Sequence, residues 1–297
     1  MTVVAQVADS DMPHLFQAAD QASLEAQKSY VGGTRKRLLL LSAAAVAGLS
    51  SWRVGTSGVD VWGVLGVITF VGALILELSA WRTRPDKAWY DGRAVAESSK
   101  TLAWKFAVCA LPFPREIELD DARVALMERF EAIQHSFRGL ELSPIVAPAI
   151  SSWMIEQRTS SLEDRRSSYL EARIADQKKW YMTKATFNRK RATAWRRVLV
   201  SCEFLGVVTA LFAALMQGFA QVSPAIAAVV VAIVAWTETK QYDFNARAYA
   251  AAVNDLTNAE EKLRLAVDES SWAKEVDDAE EAISREHVVW WATRSRV

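Results

Sequence analysis

Two apolar runs separated by a short polar break constrain this chain more than any other feature. The first run is Leu38 to Val54, the second is Val61 to Ala80, and residues 55–60 between them include Gly and Ser. Each run approaches the ~20 residues that carry an α-helix across the hydrocarbon of a bilayer. The pattern predicts a membrane hairpin, although a soluble chain could also bury two such helices in its core.

Basic residues stand at the outer ends of this hairpin. Arg35-Lys36-Arg37 precede the first run, and Arg82 and Arg84 follow the second, whereas the break carries only Asp60, with Arg53 just before it. Lys and Arg collect on the cytoplasmic side of membrane segments. Both ends of the hairpin are therefore predicted to face the cytoplasm, with the break on the other side.

The same arrangement recurs later in the chain. A second pair of apolar runs, Val198 to Phe219 and Ala225 to Trp236, flanks a break at residues 221–224. The run after Pro224 is the shortest of the four. Basic residues again stand outside the pair: Arg189, Lys190, Arg191, Arg196 and Arg197 before it and Lys240 after it. The same orientation follows, so the sequence predicts both termini in the cytoplasm.

Matching strings around the hairpins indicate a duplication. Gln27-Lys28 corresponds to Gln177-Lys178, and Arg93-Ala94 corresponds to Arg247-Ala248, at offsets of about 150 residues. The predicted fold class is all-α and integral to the membrane. It has two helix-hairpin-helix repeats, at 11–110 and 162–297, with transmembrane hairpins at about 38–80 and 198–236. The prediction also includes a helical connector at 111–161 and a cytoplasmic helical domain. It gives four transmembrane helices in all.

Outside the apolar runs, helical periodicity predicts packing faces. One stripe in the connector consists of Leu126, Phe130, Ile133 and Phe137. A second, near the end of the chain, consists of Trp272, Val276, Ala279, Ile283, His287 and Trp290. Residues 149–205 contain neither Gly nor Pro and favour long helices, with an interruption expected at Ser160-Ser161.

Composition argues against several classes of function. The 35 basic and 35 acidic residues balance, so no net field favours a nucleic-acid polymer. Cys109 and Cys202 are far apart, and the three histidines lie in separate segments, so the spacing predicts no disulfide framework, metal site or nucleophile. No Gly-rich phosphate loop follows a strand. We therefore expect no enzyme and no cofactor. The N-terminus carries Asp9 and Asp11 and lacks an early basic-apolar-small pattern, so we also expect no cleavable signal peptide.

Two carboxylates within the apolar runs are the most informative polar residues. Glu77 lies in the second run and Glu203 in the third. A carboxylate at mid-membrane costs about 3 kcal/mol on insertion scales and usually faces a bundle interior or water. One hypothesis is that both line or gate a cation-permeable pore. The alternative is that both lie near the cytoplasmic boundary and pair there with Arg82 or Arg197.

Several strings together resemble the SLATT superfamily, the two-transmembrane effector domains associated with SMODS and SLOG proteins. They are the repeated Gln-Lys and Arg-Ala strings around the hairpins, Trp89-Tyr90-Asp91-Gly92-Arg93, and Ile283-Ser284-Arg285-Glu286-His287. The chain resembles a tandem member. The resemblance implies a bacterial conflict system in which a nucleotide second messenger, made by a neighbouring enzyme, triggers an effector that forms or opens a pore in the inner membrane.

Residues that suit nucleotide contact lie on the helices next to the hairpins. Arg93, Trp104, Lys105 and Arg247 are candidate sensing residues for a cyclic oligonucleotide, because aromatic faces and Arg side chains suit nucleotides. The basic and aromatic residues at 180–197 fit the interfacial rim of a membrane protein better.

Three functions from different classes remain open at this point. The first is a nucleotide-switched membrane effector of antiphage defence. Because four helices enclose little space, its pore would need a homo-oligomer. The second is a membrane-anchored scaffold that recruits a partner, and the third is a constitutive ion channel.

Overall fold

A computed structural model describes residues 7–56, 58–216 and 220–294, with side chains up to residue 284. Most of these residues are helical, which confirms the all-α prediction. The described part of the chain has ten α-helices: α1 (His14–Ala47), α2 (Val61–Thr83), α3 (Pro85–Ala107), α4 (Leu119–Ser136), α5 (Ser152–Thr159), α6 (Leu162–Ser168), α7 (Asp176–Leu215), α8 (Val222–Lys240), α9 (Tyr242–Leu265) and α10 (Glu269–Arg294). A π-helix, Tyr169–Ala175, connects α6 to α7.

The chain divides into two compact units that do not follow the sequence repeats. One comprises residues 7–26, 86–185 and 247–294 and is called the core unit here. The other comprises Gln27–Pro85 and Thr186–Ala246 and is called the hairpin unit. Helices α1, α7 and α9 each pass from one unit to the other.

The core unit is built on the apolar stripes that the sequence predicts. Trp272, Val276, Ala279 and Ile283 are all buried, which confirms the α10 stripe for these four residues. The side chains of His287 and Trp290 lie outside the described residues. In the connector stripe, Leu126 and Phe130 are buried, and Ile133 and Phe137 are partly buried and pack against the core.

Aromatic rings occupy the centre of this core. The ring of Tyr169 packs edge-on against Trp104 at 5.7 Å and against Trp272 at 5.8 Å between centroids, and Trp104 also contacts Trp153 at 4.9 Å. Edge-to-face pairs add about 0.5–1.5 kcal/mol each beyond the apolar area that they bury. The cluster joins α3, α5, the π-helix and α10.

A buried arginine ties the end of α3 to α5 and to the segment before α4. The Arg158 guanidinium donates to the carbonyl oxygens of Phe106, Phe113, Pro114 and Ile117 at 2.7–3.1 Å. Burial lowers the pKa of Arg158. Because the four carbonyls supply acceptors, the cation satisfies backbone groups that would otherwise be left without donors.

The interruption predicted at Ser160-Ser161 is confirmed. Helix α5 ends at Thr159, and the Ser161 hydroxyl caps α6 by accepting from the Asp164 amide at 3.1 Å. A side-chain oxygen at this position satisfies one of the unpaired amides of the first helical turn.

The hairpin unit contains the apolar runs, but the first run ends earlier as a helix than the sequence predicts. Helix α1 passes through Gly32 and Gly33 without a break and stops at Ala47, so only ten residues from Leu38 onward are helical. Gly48 and the two serines after Leu49 favour a turn there. Beyond them, Arg53–Val54 (β1) pairs antiparallel with Val59–Asp60 (β2), a pairing that the sequence did not predict.

The remaining membrane runs are continuous helices. Asp60 caps α2 by accepting from the Trp62 amide at 3.0 Å. Helix α7 carries the third run as far as Leu215, and α8 begins at Val222, with Pro224 in its first turn, where proline is tolerated. Residues 217–219, in which the predicted third run ends, lie outside the described residues.

Candidate functional site

Three helical stretches among the described residues are long and apolar enough to cross a membrane. They are Val61–Thr83, Leu162–Leu215 and Val222–Leu265. In the most apolar window of each, at most 11% of the residues are buried inside the protein. These apolar surfaces need lipid or another chain as their surroundings. The fourth predicted membrane helix, the first along the chain, is not among them and stays a prediction.

The two membrane carboxylates have different surroundings. Glu77 forms an ion pair with Arg37 of α1, and the two side chains are 53% and 36% exposed. The cation is therefore Arg37, where the sequence suggested Arg82. Glu203 is exposed and forms no ion pair with any residue that the structure describes. It lies six residues beyond Arg197, about 9 Å along the helix axis.

A cavity of about 370 Å³ lies in the core unit, where the π-helix passes into α7. Among the residues that line it are Asp9, Lys100, Trp104, Arg173 and Gln177. The volume falls at the low end of the roughly 300–1,000 Å³ that ligand pockets span. Its wall carries charges of both signs, and Lys100 Nζ lies 3.6 Å from Asp9 Oδ1.

The indole of Trp104 is the unusual group in this wall. The side chain is 1% exposed, and its Nε1–H has no hydrogen-bond partner among the described residues. A buried donor without an acceptor costs about 1–3 kcal/mol. An acceptor on a bound ligand would relieve this cost, so Trp104 marks the cavity as a candidate binding site.

Arg173 in the cavity wall is held by a buried carboxylate. Glu280 of α10 is 0% exposed and accepts from Arg173 Nε at 2.8 Å, from the Tyr169 hydroxyl at 3.0 Å and from the Thr101 hydroxyl at 2.8 Å. Burial alone would lower the pKa of Arg173, but the adjacent Glu280 carboxylate outweighs burial, and the pKa is raised. Burial, together with Glu280, raises the pKa of Tyr169 well above its usual value.

This network fixes one side of the cavity. Glu280 accepts hydrogen bonds from Thr101 of α3 and from Tyr169 and Arg173 of the π-helix. Because this carboxylate raises the pKa of Arg173, the guanidinium stays charged at all physiological pH values. Its guanidinium is engaged with Glu280, so Lys100 and the Trp104 N–H are the donors best suited to meet a ligand.

Two family matches divide the chain. Residues 13–166 match the family described as SMODS and SLOG-associating 2TM effector domain 3, and residues 169–290 match the family described as SMODS and SLOG-associating 2TM effector domain 1. The chain is a tandem SLATT protein. No curated protein and no solved structure matches it. The repeat limits of 11–110 and 162–297 and the connector at 111–161 stay predictions.

The four predicted sensing residues of this SLATT protein have different surroundings, and their sensing role stays a prediction. Arg93 pairs with Glu97 at 2.8 Å, and Lys105 pairs with Asp277 of α10 at 2.5 Å. Arg93 lies eleven residues before Trp104, about 16 Å along α3. Arg247 is exposed on α9. Of the four, only Trp104 lines the cavity.

Sequence reasoning missed Lys100 and Arg173 as cavity residues. Lys100 precedes Trp104 by four positions, so the two share a face of α3, and this spacing was a usable signal. Arg173 carried no comparable signal, because its carboxylate partner lies 107 residues away in the chain.

Among the described residues, no group of three or more His, Cys, Asp or Glu side chains could hold a metal ion. Burial raises the pKa of the Cys109 thiol, which disfavours the nucleophilic thiolate. Nothing in the described part of this SLATT protein points to catalysis.

Proposed function

We propose that this SLATT protein is a membrane effector of a bacterial antiphage system that permeabilises the inner membrane when it is activated. The family matches associate both halves of the chain with SMODS and SLOG effector domains. The observation that carries the proposal is the set of apolar helices whose side chains face outward in the hairpin unit. In this proposal the protein is multi-pass, with both termini in the cytoplasm.

The pore is proposed to form by self-association. One hairpin unit supplies too few helices to enclose a wide path, and the outward apolar faces suit packing against other copies as well as lipid. Glu203 would line the path, because an exposed carboxylate about 9 Å past the basic rim is costly against hydrocarbon. Glu77, already paired with Arg37, would contribute less unless that pair opens.

The trigger is proposed to be a nucleotide signal that enters the cavity beside Trp104. Lys100 would meet a phosphate and the Trp104 N–H would meet an acceptor on the ligand. The volume suits a mononucleotide-sized part of a cyclic oligonucleotide. Ligand binding shifts a population only if the ligand favours the open arrangement over the closed one.

Dye release from liposomes that contain the purified protein tests this function, with and without a mixture of cyclic oligonucleotides. We expect release only with nucleotide. Release without nucleotide would identify a constitutive channel, and no release in either condition would favour the membrane-anchored scaffold or an effector triggered by another protein.

Matched variants separate the pore from the sensor. The double change Glu77→Gln and Glu203→Gln should lower ion flux while nucleotide binding persists, whereas Glu131→Gln, at an exposed position of α4, should leave both unchanged. Trp104→Phe should weaken nucleotide binding in titration calorimetry, and Trp153→Phe should not, because Trp153 does not line the cavity. Unaltered flux in the double variant would remove the two carboxylates from the pore.

A further inference from the structure

The hairpin unit contains a second and larger cavity, separate from the one beside Trp104. Its volume is about 720 Å³, and its walls are formed by helices α1, α7 and α8 together with Tyr242, the first residue of α9. The apolar part of the lining includes Leu39, Ile233 and Trp195. The cavity therefore lies among the helices that carry the apolar runs of both predicted hairpins.

Three cations from three helices line the same cavity. They are Arg35 of α1, Arg191 of α7 and Lys240 of α8, and no carboxylate lines the cavity among the described residues. Arg191 stands over the Phe187 ring at 5.3 Å, and Lys240 stands over the Trp236 ring at 5.8 Å. These cation–π contacts position the two cationic side chains beside the cavity.

The charges concentrate at one end of the cavity. On α1, the lining extends from Arg35 to Ser42, about 10 Å deeper into the apolar run. On α8, the lining extends from Lys240 back to Val229, which is about 16 Å from the basic end of the helix into its apolar run. One end of the cavity is thus cationic and the remainder is apolar.

We propose that this cavity binds an anionic phospholipid. The phosphate diester lies at Arg35, Arg191 and Lys240, and an acyl chain follows the apolar walls toward Leu39 and Ile233. Basic pockets between membrane helices on the cytoplasmic side suit lipid headgroups of this kind. A soluble anion would use the cations but would leave the apolar length of the cavity without a matching group.

This inference is independent of the proposed pore and of the nucleotide cavity. A lipid in this cavity would contact α1, α7 and α8 and so bridge the two predicted hairpins of one chain. Loss of lipid binding would therefore be seen whether or not the protein conducts ions or senses a nucleotide.

Native mass spectrometry of the full chain in neutral detergent tests the proposal by titration with phosphatidylglycerol and, separately, with phosphatidylcholine. We expect phosphatidylglycerol to bind more tightly. The double change Arg35→Gln and Arg191→Gln should weaken it about fivefold for each cation removed, or roughly 25-fold in all. The matched control is Arg82→Gln with Arg189→Gln, which removes the same charge from exposed positions outside the cavity and should change affinity less than about twofold.

Each contrary result would overturn the proposal. Equal affinity for phosphatidylcholine would mean that the cations do not recognise the headgroup. An equal loss in the control variant would mean diffuse attraction to basic side chains. Displacement of the lipid by glycerol phosphate alone would mean a site for a soluble anion. Circular dichroism of each variant verifies that the helices are intact before affinities are compared.

Discussion

The core unit and the hairpin unit use the same helical backbone in opposite ways. In the core unit, Trp104 and Trp272 are buried, and the charged Arg173 and Glu280 are buried with them. In the hairpin unit, large apolar side chains such as Phe204 are exposed. The difference teaches that burial is defined by the surrounding solvent: water forces the first unit to close on its own apolar faces, whereas lipid removes that force from the second.

The sharpest test of this contrast is the buried carboxylate of the core unit. Glu280→Gln should lower the free energy of unfolding of the core unit by about 3–5 kcal/mol, because it leaves the Arg173 cation buried without its counter-charge. Native-state hydrogen exchange of the α10 amides measures the loss. The exposed neighbour gives the control, and Glu281→Gln should change the same amides by less than about 0.5 kcal/mol. Equal losses in both variants would contradict the importance of the ion pair.

A second test compares one arginine in each unit. Arg158→Met should destabilise the core unit by about 2–4 kcal/mol, because four buried carbonyl oxygens lose their donor. Arg37→Met in the hairpin unit removes a half-exposed partner of Glu77 and should cost less than about 1 kcal/mol. The thermal midpoint of near-ultraviolet circular dichroism in detergent compares the two. A larger destabilisation by Arg37→Met than by Arg158→Met would contradict the view that buried polar contacts stabilise mainly the core unit.

A third test uses glycines. An added Cβ at Gly92 would lie 3.1 Å from backbone and side-chain atoms of Ser23, so Gly92→Ala should push α3 from α1 and cost about 1–3 kcal/mol. A Cβ added at Gly66 of α2 would have no neighbour within 4 Å among the described residues outside its own helical turn, so Gly66→Ala should stay within about 0.5 kcal/mol of the parent. The same thermal measurement applies. A neutral Gly92→Ala would show that the core unit tolerates separation of these helices.

The smallest effect concerns the surface of the core unit. Hydrogen bonds from Lys178 and Arg264 lower the pKa of Glu260 below its ordinary 4.5. The carboxylate therefore contributes stability above that value, and the contribution is lost as pH falls through the lowered pKa. Between about pH 5 and pH 3 the thermal midpoint of the parent should fall, and in Glu260→Gln this fall, the acid limb, should be shallower. The difference corresponds to less than about 1 kcal/mol of unfolding free energy, because the ion pairs of Glu260 are partly exposed.

Its neighbour provides the comparison for this last effect. Glu261 is exposed on the same helix, so Glu261→Gln should leave the acid limb as steep as in the parent protein. A flattened limb in both variants would assign the pH dependence to general surface charge.

Hydropathy and periodicity predicted the fold class and the buried stripe from Trp272 to Ile283. They misjudged which membrane run was weakest. The run after Pro224 is shortest in sequence, yet α8 spans Val222–Lys240, because a proline in the first turn costs no helical hydrogen bond. The run from Leu38 reads as apolar to Val54, and hydropathy alone gave no sign that the helix ends at Ala47.

The candidate site was harder to predict than the fold. Trp104 was identified by residue type, and the structure adds that its N–H is buried without an acceptor. The Arg173 to Glu280 pair and the cavity depend on contacts between distant segments, which a local pattern does not encode. The π-helix was also missed, because the Gly-free and Pro-free stretch around it favours an ordinary helix.

That π-helix sets the angular register of two arginines. Arg165 and Arg173 reach Glu269 and Glu280 of the same helix, α10. Eleven residues separate the glutamates, which brings them within about 20° of each other around an α-helix. Eight residues separate the arginines, and in a regular α-helix they would diverge by about 80°. The wider turn of Tyr169–Ala175 absorbs this divergence, so a deletion of one residue there would turn one arginine away from its glutamate.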